Sequence, residues 1–368
     1  PSTESVAVEM FPVRPEPPEP PEPQPKPQAF VPGGGGLTVG GGHPTPPRVR
    51  DESMTAVVNP LLDALAGAIQ RNAWSEAVQT AQTLVRTLAT VPEDARRTFG
   101  IRFRRHLTRP VLEAFIDQAL RVTEERPRAS EVLHWCGLDG AELMLETICR
   151  FEGVGLRGFL HDALVRLPEA YPLILPLLTS PRWHEVCHAA ELLGRLGLPQ
   201  AIEPLKARLD HPDERVRIAV IEALGQFRER EAVEPLRQAL TDPAPGPRAL
   251  AGRALAARKS AALAMPLMAA LESEKDPTTW KELLGSLARI DAPETASALA
   301  RLALERKSLL SRGGHGVPQR LEVVRVLAGM ETPAARQALA KIAAEGDEPV
   351  RAAAERALRA VGDAAGKE

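Results

Sequence analysis

Between residues 179 and 362 apolar positions recur at helical spacing, and the helices they imply recur at a fixed distance. Each unit reads as a loop, a helix ending in a small/Leu/small signature, a short turn and a second helix opening near a proline. The signature stands at Leu192-Leu193-Gly194, Ala223-Leu224-Gly225, Ala254-Leu255-Ala256, Leu283-Leu284-Gly285, Val326-Leu327-Ala328 and Ala357-Leu358-Arg359, so its central leucines step by 31, 31, 29, 43 and 31 residues. The long step is one ordinary unit plus a Gly-rich insert at 307–318, KSLLSRGGHGVP. A second marker keeps the same beat: Glu203-Pro204-Leu205, Glu234-Pro235-Leu236 and Met265-Pro266-Leu267. A period in this range means a stacked repeat array, and two helices per period mean an α-solenoid.

The same reading extends upstream with a weaker beat. Residues 51–180 are expected to be helical and to form degenerate repeats, starting with a helix capped by Ser53 and carrying Val57, Val58, Leu61, Leu62, Leu65 and Ile69. A second helix is expected from Trp74 to Leu88, and others near 93–106, 110–124, 128–136, 139–150, 155–166 and 170–179, punctuated by Pro92, Pro110, Pro127, Gly137, Gly153 and Pro168. A separate small helical domain is the alternative for this stretch. Residues 1–50 break the pattern altogether. Their PEPPEPPEPQPKP and Gly runs hold too few apolar residues to repay ordering, which predicts a disordered tether, with Pro12-Val13-Arg14-Pro15 available as a ligand for a Pro-binding module. Residues 181–363 are the regular array and 364–368 a disordered tail. The chain opens at Pro1 rather than Met, so a further segment is expected upstream.

The clearest units, VRIAVIEAL (216–224) and VRAAAERAL (350–358), resemble HEAT repeats, and their length is similar to the short bacterial HEAT-like repeats first named from phycobilin lyases. The resemblance implies an all-α, right-handed superhelix of about nine helix pairs. It places the Pro-containing helix on the convex side and the helix with the Val-Arg start on the concave side, so that Val216-Arg217 and Val350-Arg351 open concave helices. It also implies a ladder in which Arg217, Arg248, Arg320 and Arg351 are laced by turn acids such as Asp210 and Asp242, with gaps where Val186 and Pro277 replace the Arg. Bilin-lyase chemistry does not follow, because the shared repeat is scaffold.

Composition narrows the partners. A net charge of −2 and a pI near 6.5 do not favour nucleic acid or acidic membranes as partners of the whole chain. Aromatic residues are only 4%, so the core is expected to be Ala, Leu and Val. Three scattered cysteines, Cys136, Cys149 and Cys187, imply no disulfide framework and fit a cytoplasmic location. No apolar run approaches membrane length. The prevalence of Ala, Arg and Pro suggests a bacterial genome rich in GC.

Two clusters can carry chemistry. His184-Glu185-Val186-Cys187-His188 matches H-E-x-x-H, in which two histidines one helical turn apart hold zinc and the glutamate acts as base. Its register argues against that. With Trp183, Val186, Cys187, Ala190 and Leu193 as the buried face, the His pair falls on exposed positions, and Glu191 is the one further ligand on their side. The iron-dependent hydroxylase relatives of HEAT repeats carry several His-Glu pairs, and this chain has one. The second cluster packs Arg96, Arg97, Arg102, Arg104, Arg105 and Arg109 around His106. Arg102, Arg105 and Arg109 share a face by spacing and are the anion-binding candidate, although Glu93, Asp94 and Glu113 stand ready to neutralise them.

The sequence therefore predicts a non-catalytic scaffold that holds a protein partner in a concave groove, with no cofactor. The groove residues are His184, His188, Glu191, Arg195, Glu222, Gln226, Arg253 and Glu282. The rival readings are a metal-dependent enzyme using His184, Glu185 and His188, and a nucleic-acid binder using the Arg96–Arg109 cluster.

Overall fold

A computed structural model describes residues 49–150, 158–290, 292–305, 316–330 and 332–365. The expected tether therefore lies outside the described residues up to residue 48, as do most of the Gly-rich insert and residues 366–368. Among the described residues there are nineteen α-helices and no strand. Residues Val49–Glu368 form one compact unit. None of the described helices is long and apolar enough to cross a membrane.

The chain is an α-solenoid of stacked helix pairs. The marker leucines are its core: Leu193, Leu224, Leu255, Leu284 and Leu327 are buried, and so are Leu205, Leu236 and Leu267 of the second marker. Several helix starts have a local cause. Asp213 accepts from Arg215 N at 2.9 Å to cap Glu214–Gln226, and Asp276 accepts from Thr279 N at 2.7 Å to cap Pro277–Ala288. Prolines occupy the first turn of Arg109–Arg121, Pro245–Ala256, Pro293–Leu304 and Pro333–Glu345, where their missing N–H costs nothing. Gly197, at φ 63°, ends Trp183–Leu196 in a left-handed turn.

In the first two regular units the first helices are short and break into 3-10 turns. Pro199–Ala201 leads into Ile202–Lys206, and Val233–Gln238 lies between Arg230–Ala232 and Ala239–Thr241. The second helices are longer, and consecutive ones pack directly on each other: Trp183–Leu196, Glu214–Gln226, Pro245–Ala256 and Pro277–Ala288. Glycine makes this possible. A Cβ on Gly194 would lie 2.7 Å from Ala223 Cα, and one on Gly252 would lie 2.4 Å from Leu283 Cδ2. These second helices form a continuous row, the inner row, which the resemblance to HEAT repeats places on the concave side.

Arginines lace the regular units together. Arg217 donates to both oxygens of Asp242 at 2.7 and 3.0 Å, Arg248 to both oxygens of Glu274 at 2.7 Å, and Arg320 to both oxygens of Asp347 at 2.8 Å. Each carboxylate belongs to the following unit, and each pair is bidentate and largely buried. Arg217 and Arg248 also tie down turn carbonyls of their own units, at His211 and Asp242.

Four sequence expectations need correction here. Ser53 lies inside the helix Val49–Gln70 and does not cap it. The expected helix at 170–179 is one α-turn, Tyr171–Ile174, between two 3-10 segments, because Pro172 and Pro176 each remove a donor. Of the two expected turn acids, Asp242 laces Arg217 of the preceding unit, whereas Asp210 forms no such pair among the described residues; His211, 31 residues before Asp242, holds the equivalent place. Arg351 pairs with Glu348 of its own helix rather than with a carboxylate of another unit.

Candidate functional site

The inner row carries a cavity of about 310 Å³ that draws on three successive helices of that row. Helix Gly158–Leu164 supplies His161, helix Trp183–Leu196 supplies Trp183, His184, Cys187, His188 and Glu191, and helix Glu214–Gln226 supplies Glu222 and Gln226. Five of the eight expected groove residues therefore meet in one place. The other three lie alongside. Arg195 bonds Asp162 of helix Gly158–Leu164, and Arg253 faces Glu282 at 3.7 Å between neighbouring inner helices.

The helix Trp183–Leu196 keeps Val186, Ala190 and Leu193 buried as expected but turns Trp183 and Cys187 out of the core. Its buried positions are Glu185, Val186, Ala189, Ala190, Leu192 and Leu193. Trp183 is 39% exposed at the cavity rim, with the Arg215 guanidinium 3.5 Å above its ring, and Cys187 is half-buried. Glu185 is only 3% exposed and bonds Ser180 and Arg182, and it borders a different hollow, shared with Glu142 and Cys149. The H-E-x-x-H reading fails on this geometry: its glutamate lies away from its histidines and is bound elsewhere. Burial also holds the Cys187 thiol protonated, pushing its pKa up to about 11.

The group missed by sequence is His161. It is 3% exposed, and its Nδ1–H donates to Glu191 Oε1 at 2.9 Å. That bond, the nearby imidazoles and Arg195 hold the Glu191 carboxyl below its ordinary range. An ionised carboxylate only accepts, so the ring proton sits on Nδ1. The His161 and His188 rings meet edge to face at 5.6 Å, and His184 and His188 at 6.5 Å. One ring nitrogen each from His161 and His188 and a Glu191 oxygen lie within 4.8 Å of one another. A signal for His161 existed: one repeat of 31 residues before Glu191 falls at residue 160, beside it.

The arginine cluster is dispersed. Helix Glu93–Arg104 ends before Arg105, and Pro110 starts a new helix at Arg109, so Arg102, Arg105 and Arg109 do not share one helix face. Arg109 binds Glu113 and Glu146, Arg102 donates to Asn59 Oδ1 at 2.7 Å, and Arg97 pairs with Glu93. Arg96 caps the end of the preceding helix through the carbonyls of Leu88, Ala89 and Val91. Arg104 lies over the Trp135 ring.

Stacked helix pairs, a leucine core shared between units and a forward-running arginine ladder define an α-solenoid. Residues 171–251 match the family model described as HEAT repeats. No curated protein matches its sequence. Among solved structures it is similar to human deoxyhypusine hydroxylase in complex with glycerol, at 20% identity over 68% of this chain and 96% of that one, TM-score 0.29. It is also similar to the CpcE–CpcF complex of phycocyanin lyase from a Nostoc species, at 18% identity over 63% and 94%, TM-score 0.31. Kap121p bound to Nup53p aligns at 14% identity over 83% of this chain and 42% of that one, TM-score 0.42. These likenesses concern the fold and carry no argument about activity.

Proposed function

We propose that the protein is a non-catalytic scaffold whose inner row of second helices docks a segment of a protein partner. The observation that carries this reading is the cavity itself. It exists only because three inner helices stack, and its lining mixes an exposed Trp183 under Arg215 with the carboxylates of Glu191 and Glu222. Tryptophan and arginine are the side chains that most often anchor protein interfaces. The charged row continues through Arg253 and Glu282, giving an extended partner several points of contact. A nucleic-acid reading has less support, since the arginines of the 96–109 cluster are largely engaged by acceptors and aromatic rings within the protein. Cys136, Cys149 and Cys187 form no disulfide, which supports a cytoplasmic home.

The test uses the full chain as target in a displayed-peptide selection, followed by titration of an enriched peptide. Glu222→Lys with Glu282→Lys should weaken binding by about tenfold or more, while Glu203→Lys with Glu234→Lys, on exposed sites of the first helices, should leave it within about twofold. Enrichment of no peptide, or sensitivity only to the first-helix pair, would remove the proposal.

A further inference from the structure

We infer that His161, His188 and Glu191 form a binding site for a first-row divalent transition-metal ion, with Zn²⁺ as its natural probe. This stands independently of the docking proposal and is not the H-E-x-x-H pair.

The argument starts from His161. A buried imidazole weakens a solenoid core unless it is satisfied. Here Nδ1 bonds Glu191, and Nε2 has no hydrogen-bond partner among the described residues. The ring is thus anchored by one contact, to a carboxylate that is itself 49% exposed. A leucine at this position would stack with less cost, so the histidine is poorly explained as packing.

The donors suit a metal. His161 Nδ1 and Glu191 Oε1 are 2.9 Å apart, so an ion about 2.1 Å from each would subtend about 90° between them, the ring proton moving from Nδ1 to Nε2 so that the imidazole ligates in its neutral form. The third donor, a His188 ring nitrogen, lies no more than 4.8 Å from the others. Tetrahedral ligands stand about 3.4 Å apart, so a side-chain shift of at most about 1.4 Å completes the site. His188 is half-buried and bordered by the cavity, with room for that shift. Two imidazoles and one carboxylate suit zinc and its neighbours better than Mg²⁺ or Ca²⁺, which prefer oxygen.

Position adds a consequence. His161 belongs to helix Gly158–Leu164, and His188 and Glu191 belong to Trp183–Leu196. The ion would clamp two inner helices where the degenerate repeats meet the regular ones, beside the Arg195–Asp162 pair. Three protein ligands leave a coordination position open toward the cavity wall of His184, Cys187 and Glu222.

The experiment is Zn²⁺ titration calorimetry on untagged, chelator-treated full chain, with Co²⁺ visible absorption as a report of nitrogen and oxygen ligation. One ion per chain is expected. Glu191→Gln and His188→Ala should each lower affinity about tenfold or more, and His106→Ala, in the turn after helix Glu93–Arg104 and outside the cavity lining, should not change it. Both key positions are partly exposed, so these variants test the site even if His161→Gln fails to fold. No stoichiometric uptake would overturn the inference. So would affinity that survives Glu191→Gln and His188→Ala, or that is lost in His184→Ala while Glu191→Gln retains it, since the motif pair would then be the ligand.

Discussion

The two halves of this array stack helices by different means. From Glu214 onward, three seams share a device, a buried arginine gripping the next unit's carboxylate: Arg217 with Asp242, Arg248 with Glu274, Arg320 with Asp347. Upstream, no such series recurs among the described residues. There the helices are wedged by aromatic rings, with Phe103 against Trp135 at 4.7 Å and Trp74 against Phe115 at 6.5 Å. Individual polar ties such as Glu131 with Arg86 and Gln82 complete the packing. The difference shows that stacking fixes the architecture and leaves the chemistry of the seam free. A periodic sequence results only where one seam chemistry is reused.

The comparison breaks most sharply at Arg320. Its side chain is 2% exposed and also donates to Ala303 O at 2.6 Å. Arg320→Ala removes the bidentate contact to Asp347 and the bond to Ala303 O from the seam, and should cost about 3 kcal/mol. The check is the denaturant midpoint of the transition that includes helix Val317–Ala328, since a long array need not unfold in one step. A loss below about 1 kcal/mol would show that the seam is held by leucines alone.

A second test asks whether the ladder works through charge. Glu274 is held below its ordinary 4.5, first by the hydrogen bonds from Arg248. A carboxylate with a depressed folded pKa stabilises the fold above its unfolded pKa, and that contribution fades as pH falls through the folded value. Glu274→Gln should therefore lower Tm near neutral pH, by the equivalent of about 2 kcal/mol for a charged hydrogen bond. The gap to the parent protein should hold from pH 7 to about 5 and close below that. The aromatic seam offers the contrast: Phe103→Leu should shift Tm equally at both ends of the range.

Close approach of the inner helices gives a third. Gly194→Ala would drive a methyl against the Ala223 backbone and should cost about 1–3 kcal/mol. Gly285→Ala meets nothing within 4 Å and sits inside Pro277–Ala288, so higher helix propensity should stabilise by up to about 1 kcal/mol. Both glycines end the same sequence signature. Equal effects would mean that the inner row is not packed as described.

These pairs show what the sequence made legible. Period, fold class, marker leucines and the arginine positions were readable because each is a repeated local pattern, and repetition averages out accident. Direction along the ladder was not, because Asp210 and Asp242 both stand in turns before a second helix, and only the stacked units show that Asp242 meets an arginine while His211 holds its place one unit earlier. The outward placement of Trp183 and Cys187 was also hidden. Tryptophan and cysteine look like core, yet Trp183 caps the rim and Glu185 is buried through its Ser180 and Arg182 bonds. His161 escaped because its unit is degenerate, so its membership in the stripe of Glu191 and Glu222 shows only once the helices are stacked. Side-chain contacts that join units of unlike sequence are set by three-dimensional register, which no single window of residues contains.

The smallest expected effect is the most discriminating. Arg351 holds the same place in its repeat as Arg320, seven residues before its marker leucine. By sequence the two are equivalent rungs. In the fold Arg351 pairs with Glu348 of its own helix, both side chains being well exposed. An exposed pair of this kind contributes at most about 1 kcal/mol and often nothing measurable, so Arg351→Ala should stay within about 0.5 kcal/mol of the parent. Added salt should erase what remains, because a solvated pair is screened and a buried one is not. If Arg351→Ala instead matches Arg320→Ala, the arginine stabilises each unit from within, and the forward grip on the next repeat is not what holds the array together.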